Sequence, residues 1–170
     1  ATMLSEIYKR SKFATGSFIA NGHVSDRFGF EKGWDYYTNY IREHKNSDAE
    51  HVFKEAGDWI EKNKDKRFFA YVQTIDPHVP YDPPDEFLKQ YDAQSYDGVV
   101  NPRKTAQVQV DASRDKITLS GRDKSRLRAL YDGEISYHDH HFGLFMDRLK
   151  TMGADKNTLV VITSDHGEEF

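Results

Sequence analysis

A carboxylate and an imidazole stand side by side at Asp165-His166, where the apolar run "TLVVITS" stops and Gly167 follows. A second imidazole, His78, lies in "DPHVPYDPP", directly after another apolar run, "RFFAYVQTI". Binding groups of open α/β sheets gather beyond the carboxyl ends of strands, so both positions suit chemistry. An oxygen and a nitrogen donor at one strand end can reach a single divalent cation, and a glycine lets the chain turn away behind them. The plainer reading is that Asp165 caps a following helix, and that His78 hydrogen-bonds a carbonyl in a proline-rich loop. His23, in the glycine-containing stretch "NGHVSDRFGF" after a strand, is a third candidate. His138 and His141 share a helix face but more plausibly pack beside the core than hold a metal.

The elements that must position these residues alternate between helix and strand, the pattern of an α/β layer fold. "MLSEIYKRSK" reads as a short helix with Leu4, Ile7 and Tyr8 on one face, "FATGSFIAN" as a strand, and "GHVSDRFGFEKGWDYY" as a long loop. Ser47, with Glu50 three residues on, fits a capping box that opens a helix running to about Asn63. Val52, Phe53, Ala56, Trp59 and Ile60 form its buried stripe. "RFFAYVQTI" reads as a buried strand ended by Pro77, Pro80, Pro83 and Pro84. From Phe87 to Ile117 the sequence lacks a clear period and reads as a surface excursion. Ser120 caps a long helix that turns Leu127, Leu130, Tyr131, Ile135, Phe142, Phe145 and Leu149 inward and ends near Gly153. "TLVVITS" reads as a strand buried on both faces.

Composition excludes several classes. The chain has 170 residues, 14% of them aromatic and 31% charged, enough apolar material for a core and too little bias for disorder. A net charge of −4 and a pI near 6.1 supply no basic field, which argues against a nucleic-acid partner. There is no cysteine, hence no disulfide framework, thiolate cluster or cysteine nucleophile within these residues. No apolar run approaches the roughly 18 residues that span a bilayer, and the first residues lack the pattern of a signal peptide.

Three blocks in order, "FIANGHVSDRFGFEKGWDYY", "RFFAYVQTIDPHVPYDPPDEF" and "LRALYDGEISYHDHHFGLFMDRLKTMGADKNTLVVITSDHGEEF", together resemble a bacterial-type sulfatase of the alkaline phosphatase superfamily. The resemblance implies a largely parallel mixed sheet flanked by helices, present here in incomplete form. It also implies metal-dependent hydrolysis of a sulfuric ester through a covalent intermediate. Matched by motif, Asp165 and His166 correspond to metal ligands. His78 corresponds to a catalytic histidine that contacts the sulfate group of the substrate. His23 corresponds loosely to the histidine of a "GKWH" stretch, but Asn21 stands where that motif has lysine. The cofactors implied are one divalent cation, Ca²⁺ first with Mn²⁺ or Mg²⁺ as alternatives, and a formylglycine nucleophile.

The nucleophile itself has no counterpart in this chain. The family makes it within a Cys- or Ser-x-Pro-x-Arg pentad, and "TLSGR" at Thr118 to Arg122 lacks the proline. The expectation is therefore that residues 1–170 are the internal part of a single sulfatase catalytic domain, inactive alone and prone to self-association, from a parent compatible with a periplasmic or exported setting. Two other readings stand beside it. One is a phosphonate or phosphodiester hydrolase or phosphoethanolamine transferase of the same superfamily. The other is a non-catalytic domain that binds an anion or a partner.

Overall fold

The computed structural model describes residues 2–168; the last two residues of the "SDHGEEF" block lie outside them. The chain divides into two compact units. One runs to Ile75 and includes His141–Leu159; the other comprises Asp76–His140 and the residues from Val160 onward.

The first unit is built on a three-stranded parallel sheet in the order β2-β1-β3, with β1 at Ala14–Ile19, β2 at Tyr36–Asn39 and β3 at Phe68–Gln73. Helices α1 (Leu4–Arg10) and α2 (Ala49–Asn63) flank it, which is the α/β class expected from the alternating pattern. The central strand β1 is buried almost throughout, while edge strand β3 is only half-buried rather than the fully buried strand its composition predicts. Aromatic and β-branched side chains favour a strand, but they do not determine whether it lies at the centre or the edge. Strand β2 emerges from the end of the segment read as loop.

Helix α2 buries Val52, Phe53, Ala56 and Ile60, the predicted stripe, and Val52 and Ala56 join Phe18, Ala20 and Tyr40 in the core. Trp59 reaches the sheet only because Gly16 has no side chain: a Cβ there would stand 2.8 Å from the indole ring. The helix is capped one residue later than expected. Asp48, not Ser47, accepts the free amide of His51, since its carboxylate satisfies that N–H better than a hydroxyl one residue back. Helix α1 is also rotated from its expected face. Leu4 and Ile7 are exposed, whereas Ser5 is buried, donating to the carbonyl of Lys32, and Tyr8 stacks on Phe69.

In the second unit, the segment read as a surface excursion contributes α3 (Asp85–Leu88), a 3₁₀ turn at Pro102–Lys104 and α4 (Thr105–Ser113). Leu88, Val100 and Val108 from this segment pack with Tyr81, Leu127, Ala129 and Leu130 in a core of their own. The apolar residues lie too far apart for one period because they come singly, Leu88 from α3, Val100 from the stretch before the 3₁₀ turn and Val108 from α4. Helix α5 runs from Gly121 to Thr151, close to its expected bounds, although Ile135 is exposed.

Ser120 and Asp123 close the start of α5 reciprocally: the Ser120 amide donates to Asp123 Oδ2 at 2.8 Å and the Asp123 amide donates to Ser120 Oγ at 3.2 Å. The Ser120 hydroxyl, the Tyr96 hydroxyl and the Ser120 amide together hold the Asp123 carboxyl down at about 2. A folded-state value below the ordinary carboxylate range stabilises the fold above roughly pH 4, and that stabilisation fades as the pH falls through about 2. Asp123→Asn is therefore expected to lower stability at pH 6 and to reduce its loss between pH 4 and 2, followed by urea titration at each pH. A parallel downward shift of the whole profile would show that ionisation of Asp123 plays no part.

The run "TLVVITS" is not a strand. After a 3₁₀ turn at Asp155–Asn157 it forms no ladder, and Leu159, Val161 and Ile162 are strongly exposed. A strand needs an edge to receive its amides as well as apolar side chains, and no edge among the described residues pairs with this run. Asp165 consequently does not stand at a strand end.

Candidate active site

The loop that follows β3 in sequence is held within the second unit at four points. The amide of Tyr81 donates to Thr105 Oγ1 at 2.8 Å, with both residues buried. The Tyr81 hydroxyl donates to Glu168 Oε2 at 2.5 Å and accepts from Gln109 Nε2 at 3.3 Å. The amide of Asp82 donates to Glu134 Oε1 at 2.7 Å. Arg103 pairs with the Asp82 carboxylate at 3.0 Å.

His78 projects from this anchored loop into solvent. Its Nδ1 lies 2.8 Å from the carbonyl oxygen of Val79, so Nδ1 carries the proton and donates. The carbonyl contact of the plainer reading is present. It also fixes the tautomer, leaving Nε2 free to take up a proton and then donate it toward an anion.

Asp165 and His166 form an exposed turn in the same unit. The His166 amide donates to Asp165 Oδ1 at 3.0 Å, and His166 Nδ1 donates to the carbonyl of Gly167 at 2.6 Å. That donation leaves Nε2 as the ligand-competent nitrogen, 3.8 Å from Asp165 Oδ2. The Gly167 carbonyl and then the Asp165 charge raise the pKa of His166, favouring its protonated form. The pair fits a divalent cation in donor chemistry, an imidazole nitrogen beside a carboxylate. It supplies only two donors: among the described residues no group of three or more His, Cys, Asp or Glu side chains can hold a metal.

The Tyr81–Glu168 hydrogen bond joins the two motifs, since Glu168 ends the turn that begins at Asp165 and Tyr81 lies three residues after His78. Burial first, and then the Glu168 carboxylate, push the Tyr81 phenol well above its usual value. The hydroxyl is therefore held as a donor. Tyr81→Phe removes the hydrogen bond donated to the charged but exposed Glu168 and the longer one accepted from Gln109, a loss of about 1–2 kcal/mol. We expect faster amide hydrogen exchange at Asp165, His166 and Gly167, with the Tyr81 amide still protected by Thr105. Unchanged exchange at the turn would mean that this tether does not order it.

His23 lies in the first unit, exposed, with its amide bonded to Asn21 Oδ1 at 2.8 Å. His140 sets its ring against Phe87, which also receives Tyr137. Sequence reasoning missed Tyr81, Thr105, Glu134 and Glu168. For Glu134 the signal was there: it continues the series Leu127, Leu130, Tyr131 at helical spacing, a carboxylate on the buried stripe. Burial first, and then the charges of Asp76 and Asp82 acting against hydrogen bonding from the Asp82 amide, push its carboxyl up to about 7.

A family model described as Sulfatase matches residues 1–170. An arylsulfatase of Clostridium perfringens is 27% identical over 154 residues, covering 87% of this chain and 30% of the relative. An arylsulfatase of Klebsiella aerogenes is 24% identical over 138 residues, covering 70% of this chain and 30% of the relative. An endo-4-O-sulfatase of Bacteroides thetaiotaomicron is 31% identical over 103 residues, covering 61% of this chain and 18% of the relative. The chain thus spans less than a third of the length of the curated relatives it matches.

Proposed function

We propose, because this chain belongs to the sulfatase family, that the protein hydrolyses sulfuric esters and that residues 1–170 are an internal part of its single catalytic domain. The observation that carries the reading is the Tyr81–Glu168 bond, which ties the Asp165-His166 turn to the loop bearing His78. Asp165 and His166 would hold one divalent cation, Ca²⁺ first by the preference of hard ions for oxygen, with Mn²⁺ or Mg²⁺ as alternatives. Such a cation supplies Lewis-acid polarisation of the ester oxygens.

His78 then acts on the substrate directly. Its Nε2, protonated, donates a hydrogen bond to a sulfate oxygen where negative charge builds, and can pass the proton to the departing ester oxygen. The Val79 carbonyl keeps the ring from rotating by retaining Nδ1–H. The nucleophile, a formylglycine, belongs to residues outside these 170, which contain neither a cysteine nor a Ser-x-Pro-x-Arg pentad. His23 is a weaker candidate for substrate contact.

The test is sulfate release by the full-length protein from an aryl sulfate, the kind of substrate in the name of one relative, and from a sulfated saccharide. The matching phosphomonoester, phosphodiester and phosphonate are assayed beside them. Preferential release of sulfate is the expected result. Turnover of a phosphorus ester with no sulfate release would overturn the reading in favour of phosphoryl transfer or phosphonate hydrolysis.

A further inference from the structure

The surface of α5 under the His78 loop is shaped for it at two consecutive positions. Gly133 leaves room for Pro83, whose Cγ would lie 2.8 Å from a Cβ at residue 133. Glu134, 7% exposed, reaches the preceding residue of the loop and accepts the Asp82 amide. A buried carboxyl group receiving a loop amide, with no counter-cation paired to it among the described residues, is a costly choice for a purely structural contact, since an amide or hydroxyl would accept the same bond without risk of a buried charge.

We propose that Glu134 is a positioning residue whose uncharged carboxyl group seats the loop carrying His78 and whose ionisation unseats it. The role deepens the sulfatase reading, on which the catalytic part of the argument rests. The groups facing Glu134 explain the direction. From the loop come the carboxylates of Asp76 and Asp82, the latter paired with Arg103 of the 3₁₀ turn. Along α5, Tyr131 and His138 lie one turn to either side. When Glu134 loses its proton, a third negative charge appears within the reach of two others, and the loop residues bearing those two are pushed from the helix. The folded-state carboxyl is raised, so the seat is complete below roughly pH 4 to 5 and is progressively lost as the pH rises through about 7.

The chemistry follows from the short path between the seat and the imidazole. Asp82 is four residues from His78, and Tyr81, held by Thr105 and Glu168, lies between them. A shift at Asp82 is passed along a proline-stiffened segment, and a displacement near 1 Å of a catalytic group can cost about 100-fold in rate.

The experiment uses the full-length protein with Glu134→Gln and Glu134→Ala, followed by NMR of the Asp82 amide and the His78 ring and by kcat and KM from pH 5 to 9. Gln keeps the acceptor and cannot ionise. In the unsubstituted protein the Asp82 amide signal is expected to show a step near pH 7 that E134Q lacks, and kcat/KM to fall across the same interval more steeply than in E134Q. E134A is expected to displace the His78 signals at every pH and to lower kcat/KM about 10- to 100-fold, with E134Q restoring most of it at pH 5 to 6. An Asp82 step that persists in E134Q, or His78 signals unmoved in E134A, overturns the proposal. The NMR arm needs no turnover, so it decides the role of Glu134 even if the protein hydrolyses no sulfate ester.

Discussion

His78→Ala in the full-length protein is expected to lower kcat for sulfate-ester hydrolysis by about 100- to 1,000-fold, the usual cost of removing one aligned donor from a site where negative charge develops. Thermal stability should barely change. The ring is exposed and its one hydrogen bond goes to the carbonyl of its neighbour Val79, so nothing in the core depends on it. The two measurements together distinguish contact with the reacting group from a role in folding. A comparable loss of activity and of melting temperature would assign His78 to the structure, and full activity would remove it from the site.

Leu130→Ala carries the largest expected loss of stability, about 2–5 kcal/mol. Leu130 has no exposed surface and packs in the cluster with Tyr81, Leu88, Val100, Val108 and Leu127, each from a different stretch of chain, so a cavity there has little chance to collapse. The same cluster contains Tyr81, on which the loop and the turn depend. Urea unfolding of the variant should show the loss, and a change below about 1 kcal/mol would mean that the surrounding side chains close over the gap.

What the sequence disclosed depended on whether the information was local. The stripe of α2, the Ser120 cap and the extent of α5 are set by residues within a few positions of one another, and periodicity found them. The partners of a strand are not local. "TLVVITS" has the composition of a buried strand and yet forms no ladder, because pairing depends on an edge elsewhere in the chain. The second core was missed for a related reason: Leu88, Val100 and Val108 come from three short pieces, none long enough to show a period. At the candidate site, the motif residues Asp165, His166 and His78 were visible by type. Their supports were less visible, since Tyr81 and Thr105 are ordinary residues in isolation and become linked only by folding.

Two phenols in the first unit share one carboxylate: Tyr36 donates to one oxygen of Glu55 and Tyr40 to the other. Burial first, and then Glu55, push both phenols far above the ordinary tyrosine range. In an alkaline titration, phenolate formation is followed by its near-ultraviolet absorbance. Tyr36 and Tyr40 will stay dark until the sheet and α2 separate. Their late absorbance, like that of Tyr81 in the second unit, is thus an unlabelled optical signal of unfolding, written into the protein by burial and a shared glutamate.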